Sequence, residues 1–354
     1  DNNDKIAIEV GEIKFPPQDV LQLKSYYLSS SVHVDSIDYL IGYNYRLHSL
    51  DCMNLKSKSV TQIVLPGDGP DAIVRLSGIY AQSLDSVWIS DESERAFLID
   101  SVGTIKRMID LKKYLEDQEQ LLINTNYAMF TSHLFYNASR HSLMFLVKHT
   151  PSNTFIVKEV FIDEVGKMAT YQLSSSKVVP DMSKGYAYIN FPNVNFVGEN
   201  IVYNYPVESS IYMLDIRTNE RKYILADSHY TSNIIEKCTT SGDYATLEKH
   251  WLENSHFYDI MYLPKYKIFA RLHADKVDFD EKKGMEKLIN ERDLYLMLFD
   301  ENMEKIGETK LSNCRYSPFT SWNATYGGIA LFVDNVLDEK NNTDDLTIDI
   351  ISLK

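Results

Sequence analysis

One local pattern recurs along the chain: an apolar residue followed by Asp ends a short apolar segment, a polar turn follows, and a second segment leaves it. The five turns of this kind follow Asp51, Asp100, Asp163, Asp215 and Asp300, and a further apolar–Asp pair occurs in the last segment at Asp349. An Asp side chain accepts backbone N–H groups within a tight turn, so Asp suits the first position of a hairpin. The recurrence predicts a repeated strand–turn–strand unit.

Two further short segments rich in Tyr, Phe, Ile and Val precede most of these hairpins, which gives four predicted antiparallel strands per repeat. Repeats of four strands and roughly 40–50 residues are typical of the β-propeller blade. The final repeat lacks its fourth strand, whereas residues 1–15 contain a strand that belongs to no blade. Pairing the two closes a ring of six blades and removes an exposed sheet edge.

We therefore expect an all-β fold, a six-bladed β-propeller that forms one domain over residues 1–354, with residues 1–15 closing the last blade. Seven blades, or two separate β domains, are the alternatives, and both leave the first strand without a partner.

The composition limits the classes of partner. Hydrophobic residues make up 44% of the chain, and its net charge is −14. That charge repels phosphate backbones and anionic membranes, so we expect no nucleic-acid partner and membrane contact only through an N-terminal lipid anchor. Cys52, Cys238 and Cys314 are too few for a disulfide framework and lack metal-binding spacing. The start at Asp1, without an initiator Met, fits a mature end from which an export signal has been removed.

The connections between strands predict which face of the ring makes contacts. In a four-stranded antiparallel blade, the connection between strands two and three lies on the same face as the connections between blades. The two longest insertions, residues 228–253 before blade five and residues 275–292 within it, therefore share a face. The first contains a segment with helical spacing, for which Asp243 is the predicted N-cap. Long loops on a rigid scaffold commonly carry binding sites, so we predict contacts on this face.

Side chains at the ends of second strands and at the entries to first strands should project from that face. The candidate ligand-binding residues are Tyr43, Tyr45, Arg75, Tyr203, Tyr205, His256, Arg271, His273 and Arg315. Aromatic rings with a few Arg and His side chains around a shallow funnel suit a polar, flat ligand such as a sugar or a peptide. Packing between neighbouring blades is the alternative role for each tyrosine.

Motifs for catalysis or metal binding fit this sequence badly. Residues 273–280 offer oxygen ligands at short spacing but lack the Asp-x-Asp-x-Asp-Gly order of a calcium loop. The spacing between His250 and His256 does not match the helical HExxH zinc motif. The glycine-rich segment at residues 66–72 is not followed by Lys-Ser/Thr, and it predicts a turn. We therefore expect no catalytic residue, no cofactor and no metal.

The segment SVWISDESERAFLIDSVGTIKRMIDL, residues 86–111, together with the end-to-end closure, resembles the TolB-like six-bladed propellers found among exported lipoproteins of Bacteroidetes. Within that group the chain is most similar to the domain-of-unknown-function family 4221. The resemblance implies a periplasmic or surface location, with a lipid-bearing Cys just upstream of Asp1. The family has no catalytic motif, so the resemblance assigns no active residue.

Three functions remain open at this stage. The leading hypothesis is a non-catalytic, monomeric binding or scaffold propeller of the cell envelope that recognises a protein, peptide or glycan through the insertion-bearing face. The main alternative is a glycan hydrolase or lyase with a funnel active site, which would need convergent carboxyls about 5–10 Å apart, one with a raised pKa. A metal-assisted enzyme would need three converging His or carboxylate side chains. Propellers host all three functions, so the fold alone does not choose between them.

Overall fold

Short apolar segments, rich in Tyr, Val and Ile and bounded by turn residues, form the strands of six small sheets arranged in a ring in a computed structural model. The structure describes residues 7–17, 21, 23–179, 181, 186, 189–238, 243–341 and 345–354. The expected six-bladed β-propeller is confirmed.

The strands of the first half of the chain are, in order, β1 (Ile8–Phe15), which closes the ring; β2 (Ser29–Val34), β3 (Ile37–Asn44), β4 (Ser49–Asn54) and β5 (Val60–Val64) of blade 1; β6 (Leu76–Ser83), β7 (Ser86–Asp91), β8 (Arg95–Ile99) and β9 (Ile105–Asp110) of blade 2; the short strands β10 (Glu119–Leu121), β11 (Asn124–Asn126) and β12 (Phe130–Ser132); and β13 (Phe135–Asn137), β14 (Ser142–His149), β15 (Thr154–Phe161) and β16 (Met168–Gln172) of blade 3.

The elements of the second half are β17 (Asn193–Val197), β18 (Asn200–Asn204), β19 (Ile211–Asp215) and β20 (Arg221–Ile224) of blade 4; helix α1 (Tyr244–Leu252); β21 (His256–Leu263), β22 (Ile268–Ala274), helix α2 (Met285–Asn290), β23 (Leu294–Phe299) and β24 (Lys305–Lys310) of blade 5; and β25 (Trp322–Ala324), β26 (Ile329–Phe332) and β27 (Leu346–Leu353) of blade 6.

The first strand of the chain closes the ring. β1 pairs antiparallel with β27 in an unbroken register from Ile8 opposite Leu353 to Phe15 opposite Leu346. The sheet of blade 6 thus has the order β1-β27-β26-β25, in which the N-terminal strand is the outer edge. The prediction that this strand completes the last blade is confirmed.

The connection between blades 2 and 3 adds strands to its neighbours. β10 pairs with β14 of blade 3, beside β13 along the same edge. The hairpin of β11 and β12 joins the inner edge of blade 4, where Ser132 lies opposite Val194 in a parallel pair. Blades 3 and 4 therefore have five and six strands, whereas the other four sheets have four each.

The Asp turns are only partly as predicted. Asp100, Asp215 and Asp300 each accept backbone N–H groups within the turn between the third and fourth strands. Asp51 does not: it lies within β4, buried, and accepts hydrogen bonds from the Tyr26 hydroxyl at 2.6 Å and from Asn44 at 2.9 Å.

The turn of blade 1 is formed by Asn54 instead, whose side-chain oxygen accepts from the N–H groups of Lys56 and Ser57. Asn and Asp are equivalent as turn acceptors, so the turn chemistry is retained while the position moves three residues along the chain. The repeat pattern gave the correct blade but the wrong hairpin residue.

The core lies between neighbouring sheets. Trp88 of blade 2 stacks on Tyr136 of blade 3 with ring centroids 5.7 Å apart. We call the face that carries the 2→3 turns and the blade-to-blade connections the upper face, and the opposite one the lower face. The helices of the structure are all too short or too polar to cross a membrane within the described residues.

Candidate functional site

A cavity of ≈ 840 Å³ opens on the upper face. Its volume lies in the range of small-molecule sites, about 300–1,000 Å³. Both insertions of blade five contribute to its wall, as do blades 1 and 2. The lining residues include Tyr27, Tyr43, Tyr45, Arg75, Glu92, Met129, Tyr244, Glu248, Trp251, Met285, Ile289 and Phe319.

Helix α1 forms one wall because its residues at helical spacing share a face. Tyr244, Glu248 and Trp251 follow one another at intervals of four and three residues and all line the cavity. The helix begins after Asp243, whose side chain accepts from the N–H of Ala245, as an N-cap does. The predicted N-cap therefore has its expected contact.

The two insertions are tied together by Arg292, which is buried. Its guanidinium donates to the carbonyl of Asn254 at 2.6 Å and to that of Asp275 at 2.8 Å, and it lies 5.2 Å from the ring of Trp251. Burying a guanidinium is tolerated only where its donors have acceptors. The contacts of Arg292 thus fix α1 against the insertion that contains α2.

The opposite wall comes from the end of β3. The side-chain oxygen of Asn44 accepts from the N–H groups of Arg46 and Leu47, which forms the turn and brings Tyr45 to the rim. Tyr43 lies deeper, where burial raises the pKa of its hydroxyl. That hydroxyl donates to Nδ1 of His48 at 3.0 Å, because the other ring nitrogen donates to the carbonyl of Ile73.

The rim is aromatic and carries few charges. The rings of Tyr27 and Tyr45 lie 6.4 Å apart, and both are exposed, as is Tyr244 across the cavity. Arg75 pairs with Glu92 at 3.6 Å, so the cation at the rim is partly neutralised. The arrangement offers flat apolar surfaces with polar groups at their edges, which suits a ligand that has both kinds of surface.

Three of the nine candidate residues line this cavity: Tyr43, Tyr45 and Arg75. Tyr203 and Tyr205 lie buried in blade 4, where their hydroxyls bond the backbone of Ser174: its N–H donates to Tyr203 at 2.9 Å, and Tyr205 donates to its carbonyl at 2.7 Å. Their contacts are those of blade packing.

Arg271 is buried between blades 4 and 5. It donates to the carbonyls of Ser209 at 2.6 Å and Ala226 at 3.0 Å, and it lies 4.8 Å from the ring of Phe257. Burial lowers the pKa of Arg271 to about 9, so the guanidinium stays charged at neutral pH. It joins two blades instead of facing the funnel.

His273 is also buried, stacked between Phe257 and Tyr295. Its Nε2 donates to Glu308 at 2.7 Å, and its Nδ1 lies 3.1 Å from the hydroxyl of Thr231. Burial lowers the pKa of His273, which favours the neutral ring. This network fastens the connection before blade 5 to the blade itself.

His256 and Arg315 likewise lie outside the cavity lining. His256 is buried below α1, where its Nδ1 accepts from the indole N–H of Trp251 at 3.2 Å, and burial holds its pKa well below the usual value. Arg315 donates to Asp349 at 2.5 and 2.9 Å and to Glu12 at 2.9 Å, which joins the closing strand to β27.

The structure adds lining residues that were not among the candidates chosen at strand ends. Tyr27 precedes a first strand, Glu92 follows a second strand, and Phe319 lies in the connection before blade 6. Tyr244 and Trp251 could have been predicted from the sequence, since they lie on one face of the segment with helical spacing. The candidates were chosen at strand ends only, so the residues of helix α1 were left out.

The carboxyls with raised pKa values do not line the upper cavity. Burial raises the pKa of Asp334 to about 6 and also raises that of Glu208. Glu208 accepts from the Tyr212 hydroxyl, and Asp334 accepts from the N–H of Ser317. Within the described ranges, no group of three His, Cys, Asp or Glu side chains is placed to hold a metal ion.

The fold and the upper-face cavity define a six-bladed propeller with a ligand-sized cavity among its insertions. Residues 1–310 match the family described as "Domain of unknown function (DUF4221)", and the chain belongs to this family.

Solved structures agree with the fold. The chain is similar to a DUF4221 member from Bacteroides vulgatus, with 14% identity, a TM-score of 0.78, and coverage of 100% of this chain and 99% of the other. It is also similar to a Bacteroides fragilis protein that is predicted to be exported, with 13% identity, a TM-score of 0.60, and coverage of 98% and 95%. At these identities the likeness concerns the fold alone. None of the curated proteins matches the chain.

Proposed function

We propose that this protein is a non-catalytic binding propeller of the cell envelope that takes its ligand in the upper-face cavity. The observation that carries the proposal is the cavity itself, ≈ 840 Å³ in volume and walled by both insertions and by the aromatic ends of blade 1. Cavities of this size on a rigid scaffold are the usual place for a ligand.

The rim supports recognition of a glycan or peptide chain, either free or as part of a larger protein. Tyr27, Tyr45 and Tyr244 present exposed rings, while Arg75, Glu92 and Glu248 supply hydrogen-bonding groups beside them. A pyranose ring or a peptide side chain offers an apolar face to such rings and polar groups at its edge. The net charge of −14 disfavours a strongly anionic ligand.

The location is part of the proposal. We infer an exported protein, held at the periplasmic or surface side of the membrane by an N-terminal lipid in the manner of TolB-like lipoproteins. The similarity to the Bacteroides fragilis protein that is predicted to be exported supports this location. Metabolic labelling of the full-length precursor with an alkyne fatty acid, followed by cell fractionation, tests it. Labelled protein in the membrane fraction is expected, and unlabelled protein in the cytoplasm would refute it.

The ligand is tested by calorimetric titration of the purified chain with oligosaccharides and peptides, after a thermal-shift screen of the same panel. A binder should raise the melting temperature in a saturable way. The variant Tyr45→Ala should weaken binding about tenfold or more, since one aromatic contact is worth about 0.5–1.5 kcal/mol beyond its buried area.

The control is Tyr326→Ala, because Tyr326 has a similar exposed fraction, 46% against 47% for Tyr45, but follows β25 on the lower face. Equal loss in both variants would place the ligand elsewhere, and binding unaffected by either would refute the cavity as the site. Conversion of the titrated glycan, followed by chromatography, would favour the enzyme alternative.

A further inference from the structure

A second cavity, of ≈ 350 Å³, opens at the lower face. First strands of blades 1, 2, 4, 5 and 6 line it, together with the residues at the start of blade 3. First strands are the innermost strands of a propeller, so this cavity is the lower mouth of the axial channel. It is separate from the upper cavity and shares no lining residue with it.

A histidine and a carboxylate meet in this mouth. His133, between β12 and β13, has its Nε2 3.0 Å from Oδ2 of Asp259, and the indole N–H of Trp322 donates to Oδ1 of the same carboxylate at 3.2 Å. Asp259 is only 2% exposed, whereas the side chain of His133 is 22% exposed. A carboxylate accepts hydrogen bonds, so Nε2 carries the proton and a neutral imidazole has its lone pair on Nδ1.

A β-bulge aims the carboxylate at the axis. In the pairing of β21 with β22, Phe257 lies opposite His273 and Ile260 opposite Arg271, so one extra residue is accommodated at Tyr258 and Asp259. Bulges redirect side chains and occur often beside functional sites. Burying Asp259 is unfavourable unless its oxygens are bonded. Its Oδ2 accepts from the imidazole of His133, and its Oδ1 accepts from the indole N–H of Trp322.

The oriented imidazole has one nitrogen left over. Among the described residues, Nδ1 of His133 has no hydrogen-bond partner, and the ring lines the cavity. This is the arrangement by which a carboxylate fixes a histidine tautomer so that the second nitrogen accepts a proton or a hydrogen bond from a bound group.

The walls indicate the class of that group. On one side Phe135 stacks on Phe196 at 5.0 Å and meets the edge of Tyr80 at 5.2 Å. On the other side Asn195 donates to the carbonyl of Ile260 and Asn323 donates to Ser29, so these amide N–H groups are bonded within the protein. The unpartnered Nδ1 of His133 beside an aromatic wall suits a small molecule with a hydroxyl and an apolar ring.

We propose that the lower mouth of the axial channel binds a small phenol or aromatic alcohol, whose hydroxyl donates to Nδ1 of His133. Asp259 is a positioning residue in this site, since it acts through the imidazole. The proposal does not depend on the ligand of the upper cavity.

The test is NMR spectroscopy of the chain labelled with ¹⁵N-histidine, with phenol and anisole as probes. The free protein should show His133 protonated at Nε2 and unprotonated at Nδ1. Phenol should shift the Nδ1 resonance in a saturable way and bind about tenfold more tightly than anisole, which has the ring but no donor, because a hydrogen bond contributes roughly this factor. A proton on Nδ1 of the free protein, or equal affinities for the two probes, would overturn the proposal.

Two variants test whether phenol binds beside His133. In His133→Phe the preference for phenol should vanish, while in the control His33→Gln it should persist, since His33 lies near the lower rim, where it stacks on Tyr326, outside the cavity lining. Persistence of the preference in His133→Phe would place the phenol elsewhere and refute the site. Should His133→Phe fail to fold, the relative affinities of phenol and anisole for the unaltered chain still test whether the ligand donates a hydrogen bond in this cavity.

Discussion

Blades 1 and 4 end their second strands with the same tripeptide, Tyr43-Asn44-Tyr45 in one and Tyr203-Asn204-Tyr205 in the other. The two copies have different environments. Tyr45 is 47% exposed at the rim of the upper cavity, whereas Tyr205 is 1% exposed inside blade 4. Position at the end of a strand therefore identifies the face on which a residue lies, but it does not determine whether solvent or a ligand can reach it.

The difference comes from the connections that lie above each copy. Ser174, in the connection that follows blade 3, bonds both hydroxyls of the blade 4 copy, and Tyr212 stacks on Tyr203 at 5.1 Å. In blade 1 the hydroxyl of Tyr43 bonds His48 within its own hairpin. The length and path of a neighbouring blade's connection thus decide whether a tyrosine packs or stays open.

The largest expected effect is from Tyr205→Ala. Removing a fully buried aromatic ring leaves a cavity, so we expect the free energy of unfolding to fall by about 3–5 kcal/mol. Urea denaturation of the variant and of the matched Tyr45→Ala measures it, and Tyr45→Ala should change stability by less than about 0.5 kcal/mol. Similar losses of stability in the two variants would contradict the different environments of Tyr45 and Tyr205.

The next largest effect on stability is expected from Glu308→Gln, which tests the buried hydrogen-bond network of blade 5. Burial alone would raise the pKa of Glu308, but hydrogen bonds from His273, Ser228 and the N–H of His229 outweigh it and lower this pKa to about 2. Replacing the carboxylate sets an amide N–H against these donors. We expect a loss of about 2 kcal/mol at pH 7.

The pH dependence of that loss follows from the sign of the shift. Because the pKa is lowered on folding, the carboxylate's contribution is fully present above the unfolded value of 4.5 and is lost as the pH falls toward about 2. The difference in unfolding free energy between the unaltered chain and Glu308→Gln should therefore narrow over this interval in urea titrations. The control Glu92→Gln, at the exposed rim, should cost little at any pH, and a constant difference for Glu308→Gln would contradict the assigned network.

A smaller effect is expected from Tyr203→Phe, which removes one hydroxyl and leaves the ring. The N–H of Ser174 loses its acceptor, so stability should fall by about 1 kcal/mol. Tyr43→Phe removes the corresponding hydroxyl in blade 1, where the part-buried bond to His48 borders the upper cavity and water can replace it, so half that loss or less is expected. The midpoints of thermal unfolding compare the two, and a larger loss for Tyr43→Phe would reverse the assignment of the packed and the open copy.

The smallest effect on stability is expected from Arg75→Ala. An exposed ion pair such as that with Glu92 contributes about 0–1 kcal/mol, and salt screens it. The melting temperature should hardly change, whereas affinity for an upper-cavity ligand should fall. A marked loss of stability would show that Arg75 supports the fold in the way that Arg271 does.

The sequence determined the ring. Short apolar segments bounded by turn residues specify strands, and a spare first strand specifies closure because an unpaired edge is unfavourable. These are local or end-to-end properties, so blade count, the closing strand and the helix after Asp243 were predictable. The side shared by the insertions also follows from counting strands.

The packing of the blades determines which distant residues meet. The lining of the upper cavity combines Tyr45, Trp251 and Phe319 from three distant parts of the chain. His133 and Asp259, 126 residues apart in the chain, are brought together in the lower cavity, and a bulge of one residue in β21, a strand with no alternation to interrupt, aims the carboxylate. Arg271 and Tyr205 have the residue types of a binding site, yet they are buried because neighbouring connections supply their hydrogen-bond partners. Contacts between blades depend on distances that no local pattern encodes, and these contacts, more than residue type, separate a site from a core.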